Sequence, residues 1–241
     1  MEYTLGNFNK LPRIVISISP QRYDEKKLTT ERCRDVVASS QVRVRGWYFP
    51  HINREGMTTG PRGVYVQDET EERGYHLEQW RMHTSGQFLF RMMPWEVPNN
   101  EVQDRMRSNA RHWDSKTRVE DVPGFLSFIM LIYTIAEAYV FAARLAQAAE
   151  YDSALDLQIG LRGIRGWALG SNDFGVDLFG AYIAKNDVVL HDAEIALDIL
   201  IADPLDAAVQ ATTSLFEQFG WISPDPAMMS NWQRQIFKGR R

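Results

Sequence analysis

Glu78, Trp80, Arg81 and His83 form the string E-x-W-R-x-H, the tightest grouping of chemically capable side chains in the chain. A guanidinium fork and an imidazole both donate to anions, which suits phosphate or carboxylate. On an extended strand Arg81 and His83 share one face, while Glu78 and Trp80 share the other. With Arg45 approaching from a neighbouring strand over 42–49, three donors would meet, so Arg45, Arg81 and His83 are the expected ligand- or anion-binding set. The competing assignment is structural, with Arg81 held against Glu78 or the acidic turn Asp68–Glu72. A third assignment gives Glu78 and His83 the acid and base roles of a hydrolase.

Other combinations carry less chemistry. His51, His76, His83 and Glu78 lack the i, i+4 pairing or short loop spacing of metal ligands, so no metal site is expected. Arg43, Arg45 and Trp47, followed by Phe49, interleave charge with aromatic rings, the pattern that holds single-stranded nucleic acid. Aromatics carrying a sheet against a helix give the same letters. Glu137 and Arg144 lie two turns apart on an apolar helix and need partners, for which Arg162 or Arg165 are expected. There is no G-x-S-x-G, triad spacing or Walker loop, so no catalytic residue and no cofactor are assigned.

Hydrophobic residues make up 44% of the 241 and charged residues 24%, which excludes a disordered chain. The formal charge of −4 is uneven: residues 1–120 hold 19 Lys+Arg against 16 Asp+Glu, and residues 121–241 hold 8 against 15. Contact with a polyanion therefore belongs to the first half. Cys33 is the only cysteine, which excludes an intrachain disulfide and a Cys-based zinc site. MEYTLGNFNK lacks the basic and apolar regions of a secretion signal, so a cytoplasmic setting is expected.

These residues need elements to hold them. PRIVISI (12–18), Val64–Gln67, Gly74–Met82 and Gln87–Met93 have the composition of strands, and Val42–Phe49 alternates like one. Lys27–Ser39 has helical spacing with a cap at Thr29 or Thr30, and Asn53–Gly63 has the composition of a loop. Phe125–Ala149 is the best-defined helix, too short and too charged for a membrane span, and buried except for a stripe through Ser127, Thr134 and Glu137. Leu155–Leu169 alternates like a strand, Val188–Ile201 fits strand or helix, and Ala207–Phe219 is a helix closed by Gly220. The expected class is α+β: a strand-rich lobe over 1–98, a linker or short helix over 99–123, a helix-dominated lobe over 124–222 and a polar tail over 223–241.

RGWYFPHI (45–52), LEQWRMHTSGQFLF (77–90), TIAEAYVFAARLA (134–146), IGLRGIRGWAL (159–169) and LFEQFGW (215–221) resemble an uncharacterised bacterial domain. That domain often follows a Schlafen-like nucleic-acid-binding domain, which has no counterpart here. The resemblance implies an accessory or sensing module of a bacterial system, one of antiviral defence. The expected function is accordingly non-enzymatic binding or sensing through a protein partner or self-association, without a membrane. The alternatives are a single-stranded nucleic-acid-binding protein and an unrecognised hydrolase.

Overall fold

Alternation in β1 (Arg13–Pro20) sets up the two layers of the fold. Ile14, Ile16 and Ile18 are buried, while Arg13, Val15, Ser17 and Ser19 on the other face stay half-exposed. This period of two marks a sheet packed on one side and open on the other. The computed structural model describes residues 5–52, 57–70, 76–110, 113, 117–173, 176, 178 and 180–238. Among these, a seven-stranded antiparallel sheet has the order β11-β9-β1-β7-β6-β5-β4. Its remaining strands are β4 (Met57–Gly60), β5 (Gly63–Thr70), β6 (His76–His83), β7 (Phe88–Met92), β9 (Ala154–Arg162) and β11 (Val188–Ala196). Helices cover one face, so the class is α+β.

The covering layer centres on α3 (Phe128–Ala148), packed by α1 (Thr30–Ser40), α4 (Leu197–Ala202), α5 (Pro204–Glu217) and α6 (Pro226–Lys238). Phe141 meets Phe88 at 4.8 Å and Phe49 at 5.7 Å between ring centroids, joining helix to sheet. Burying each such side chain contributes about 1.5–3 kcal/mol. α3 is long and apolar enough to cross a membrane, yet 78% of that stretch is buried within the protein. Its apolarity is that of a core helix.

β1 pairs with β7 on one side and β9 on the other, so segments from both sides of 99–123 share one sheet and one core. The 99–123 segment does contain a short helix, one of the two forms expected there: α2 (Asn100–Asn109), which packs on β8 (Phe125–Ser127) and β10 (Ala168–Gly170). Several expectations need correction. The long helix starts after β8, with Ser127 as its cap. The stripe expected to be exposed, Ser127, Thr134 and Glu137, is buried. Gly163 and Gly166 take positive φ values of 74° and 79°, which end β9 at Arg162. At Gly163 a Cβ would sit 2.9 Å from the Leu11 carbonyl oxygen, so the close approach also demands glycine. Within the expected 53–63 loop, Met57–Gly60 forms the edge strand β4, and 53–56 lie outside the described residues. The expected polar tail contains α6, with Met229 and Gln233 fully buried.

Val42–Phe49 is not one strand. Gly46, at φ 97°, turns the chain, and β2 (Val42–Arg43) pairs back on β3 (Tyr48–Phe49) as a separate hairpin. At the far edge of the large sheet, the Gln218 side chain meets the backbone of Leu190 in β11. Its Nε2 donates to the Leu190 carbonyl at 2.9 Å, and the Leu190 N–H donates to its Oε1 at 3.2 Å.

Candidate functional site

Arg81 and His83 occupy the open face of the sheet. Register places Arg81 opposite Leu89 on β7 and Tyr65 on β5, and His83 opposite Gly63. Their neighbours Trp80 and Met82 point into the core. Around Arg81 the face sinks into a concavity of about 510 Å³ lined by Val15, Tyr65, Gln67, Gln79, Leu89 and Arg91. Tyr65 and Leu89 are 36% and 37% exposed, unusual for large apolar side chains in mid-sheet. Among the described residues Arg81 has no ion pair and no side-chain hydrogen bond. The structural assignment through Glu78 does not hold, because Glu78 faces the other way. The side chains of 68–72 lie outside those described.

Arg91 is oriented by protein groups. Its Nε donates to Gln79 Oε1, its Nη1 donates to Asn9 Oδ1 at 2.9 Å, and its guanidinium lies 5.2 Å from the centre of the Phe8 ring. Asn9 and Phe8 belong to the 3₁₀ turn Leu5–Lys10. Arg13 donates from Nη1 to the Asn9 and Leu11 carbonyls. The pKa of Arg13 is lowered, first by burial and then by Arg162 and Arg91, with Asp187 opposing. His83 is held below its ordinary 6.5 by burial, then by Arg81 and Arg62. Its neutral ring presents a hydrogen bond rather than a charge near pH 7. The β9–β11 side of the same face is acidic: Ser17, Ser19, Gln158, Asp156 and Asp192 line a second concavity of about 380 Å³.

Arg45 does not join Arg81 and His83. It sits on the helix side of the sheet, where Nη2 and Nε donate to the buried Glu137 carboxylate and Nη2 also donates to Thr134 Oγ1 at 3.2 Å. Glu137 therefore pairs with Arg45, not with Arg162 or Arg165. Its pKa is raised by burial, against the opposing effect of Arg45. Arg144, the other charge on that helix, is exposed and donates to the Gln41 carbonyl. The Arg43, Arg45, Trp47 strip is likewise not a strand face. Arg43 lies over Tyr48 and Arg45 over Trp47, each 5.1 Å from the ring centre.

Glu78 is buried, accepts from the His51 N–H at 2.7 Å and meets His76 Nε2 at 3.1 Å. It cannot work with His83, which projects from the opposite face, so the acid–base pair expected of a hydrolase is not assembled. Among the described residues no group of His, Cys, Asp or Glu could hold a metal ion. Cys33 is buried in α1, and burial pushes its thiol up to about 11, far from a nucleophile's range.

Sequence reasoning overlooked Arg13 and Arg91 and offered Arg162 only as a partner for Glu137; each is isolated in an apolar or mixed strand. Half-exposed positions opposite Ile14, Ile16 and Ile18 were the available signal for Arg13. A two-layer α+β protein with an open antiparallel face is the class these observations define. Comparison with family models, curated proteins and solved structures returned no match.

Proposed function

We propose that this chain is a non-enzymatic binding or sensing module whose recognition surface is the open sheet face, and whose ligand is anionic with a flat or apolar part. The observation that carries this reading is Arg81, exposed and without an acidic partner among the described residues, beside Arg91 and the exposed Tyr65 and Leu89. A guanidinium with no carboxylate beside it, next to exposed apolar surface, favours a ligand that supplies both charge and contact area. The resemblance to the bacterial domain adds an accessory role, in the cytoplasm, in defence against foreign nucleic acid. The test is retention on heparin, a generic polyanion, in low salt. The parent chain should be retained and Arg81→Glu should elute earlier with an unchanged melting temperature. Equal elution of the two would refute the reading.

A protein partner has a separate place to dock. Trp47 is 50% exposed at the hairpin tip beside the exposed Tyr48, both backed by arginines. Trp, Tyr and Arg are the residues that dominate protein interfaces.

A further inference from the structure

The basic residues of the open face are not scattered. Arg162 on β9 lies directly opposite Arg13 on β1. Arg91 on β7 is opposite Val15, two residues beyond Arg13, which makes Arg13 and Arg91 diagonal neighbours. Arg91 is opposite Gln79 on β6, two residues before Arg81, so the next step is diagonal in the same sense. His83 and Arg62 continue it, with Arg62 in the turn leading into β5 and close enough to depress the histidine. The result is an oblique line of positive or donor groups crossing four neighbouring strands. Diagonal neighbours on a sheet stand roughly 7–8 Å apart, giving a track of about 25 Å.

Two features make this line more than a solvated strand face. Arg13 and Arg162 are like charges in directly opposed positions, which destabilises a sheet. Among the described residues none of Arg13, Arg62, Arg81, Arg91 and Arg162 has a carboxylate within ion-pairing distance. Second, among the described residues the acids on the strands of this face gather towards one end of β9 and β11, although Asp187, just before β11, acts on Arg13. Asp156, Asp192 and Glu194 stand on β9 and β11, beyond the track, and would repel a polyanion that strayed from it. Beside the line stand the exposed Tyr65 and the amides of Gln67 and Gln79.

We propose that this diagonal binds a single-stranded nucleic acid, its phosphates following Arg162, Arg13, Arg91, Arg81 and Arg62 while a base packs on Tyr65. The proposal rests on the reading of the open face as an anion-binding surface and specifies its ligand. A linear polyanion matches a linear row of charges, and an aromatic ring beside such a row accepts any base. A rigid duplex presents its phosphates on a cylinder and hides its bases, so it fits a shallow face with one stacking ring less well.

The test uses the full chain and fluorescence anisotropy with three labelled probes: a ten-nucleotide oligothymidine, a blunt duplex of the same length, and a poly-glutamate peptide. The single strand is expected to bind best, with log affinity falling against log salt at a slope of about −3 for four to five phosphates contacted. Arg81→Glu should weaken it by tenfold or more and reduce that slope. Tyr65→Ala should weaken it severalfold with the slope unchanged, and Asp192→Asn should not weaken it. Equal or tighter duplex binding, or single-strand binding indifferent to Arg81→Glu, would overturn the proposal. Arg81-dependent binding of poly-glutamate without binding of the oligonucleotide would overturn it while leaving the anion-binding face intact. If no probe binds at low salt, both fall.

Discussion

Replacing Glu96 by glutamine should flatten the dependence of stability on pH. Glu96 is fully buried beside the start of α3, and burial raises its carboxyl from the ordinary 4.5 to about 7 despite the Ser127 N–H donating to Oε1 at 2.8 Å and the charge of Arg45. Its second oxygen has no hydrogen-bond partner among the described residues. The folded protein therefore keeps this proton over a range in which the unfolded chain has released it. Between pH 4.5 and about 7 the folded state binds more protons, so stability falls as pH rises through that window. At about 1.36 kcal/mol per pH unit the loss by pH 8 is on the order of 3 kcal/mol. Glutamine keeps the acceptor for the Ser127 N–H and has no proton to lose. Urea unfolding at pH 5, 6, 7 and 8 measures the effect: the parent should weaken by about 3 kcal/mol more than Glu96→Gln across the range. Parallel curves for the two proteins would show that Glu96 is charged throughout, and the reasoning would fail.

Two further outcomes are expected from the helix side. Arg45→Ala leaves Glu137 buried without its cation and should destabilise by about 3–5 kcal/mol, whereas the double variant Arg45→Met with Glu137→Leu should recover most of that loss in the same unfolding assay. Phe141→Ala empties the contact between α3, Phe88 and Phe49 and should cost about 3–5 kcal/mol by chemical denaturation, with anion binding on the opposite face of the sheet unchanged in the folded fraction.

What could be read from the sequence was local. The alternation of Arg13–Pro20 and the shared face of Arg81 and His83 follow from a period of two that any strand obeys. The cap at Thr29, whose oxygen accepts from the Arg32 N–H, follows from residue type and spacing. The position of Arg45 was not legible, because Gly46 turns the chain within a stretch that alternates like a strand. The partner of Glu137 lies 92 residues away in sequence, and no periodicity reports a distance of that kind. Glu137 and Thr134 appeared exposed by polarity alone, yet one long arginine satisfies both inside the core. The diagonal of arginines was hidden for a related reason: each residue is unremarkable on its own strand, and only the register between strands aligns them.

The amide of Gln218 at the β11 edge has a consequence for assembly. A nine-residue outer strand offers hydrogen-bonding groups that another extended chain could adopt, and sheets joined this way grow without limit. Gln218 occupies the donor and the acceptor of Leu190 together, so its side chain stands in for one peptide unit of an intruding strand. Gln103 does the same for Phe125, donating to its carbonyl and accepting from its N–H. At both places the chain ends its own hydrogen-bond ladder with a counterfeit rung, and an incoming strand would first have to evict a side chain tethered by a helix.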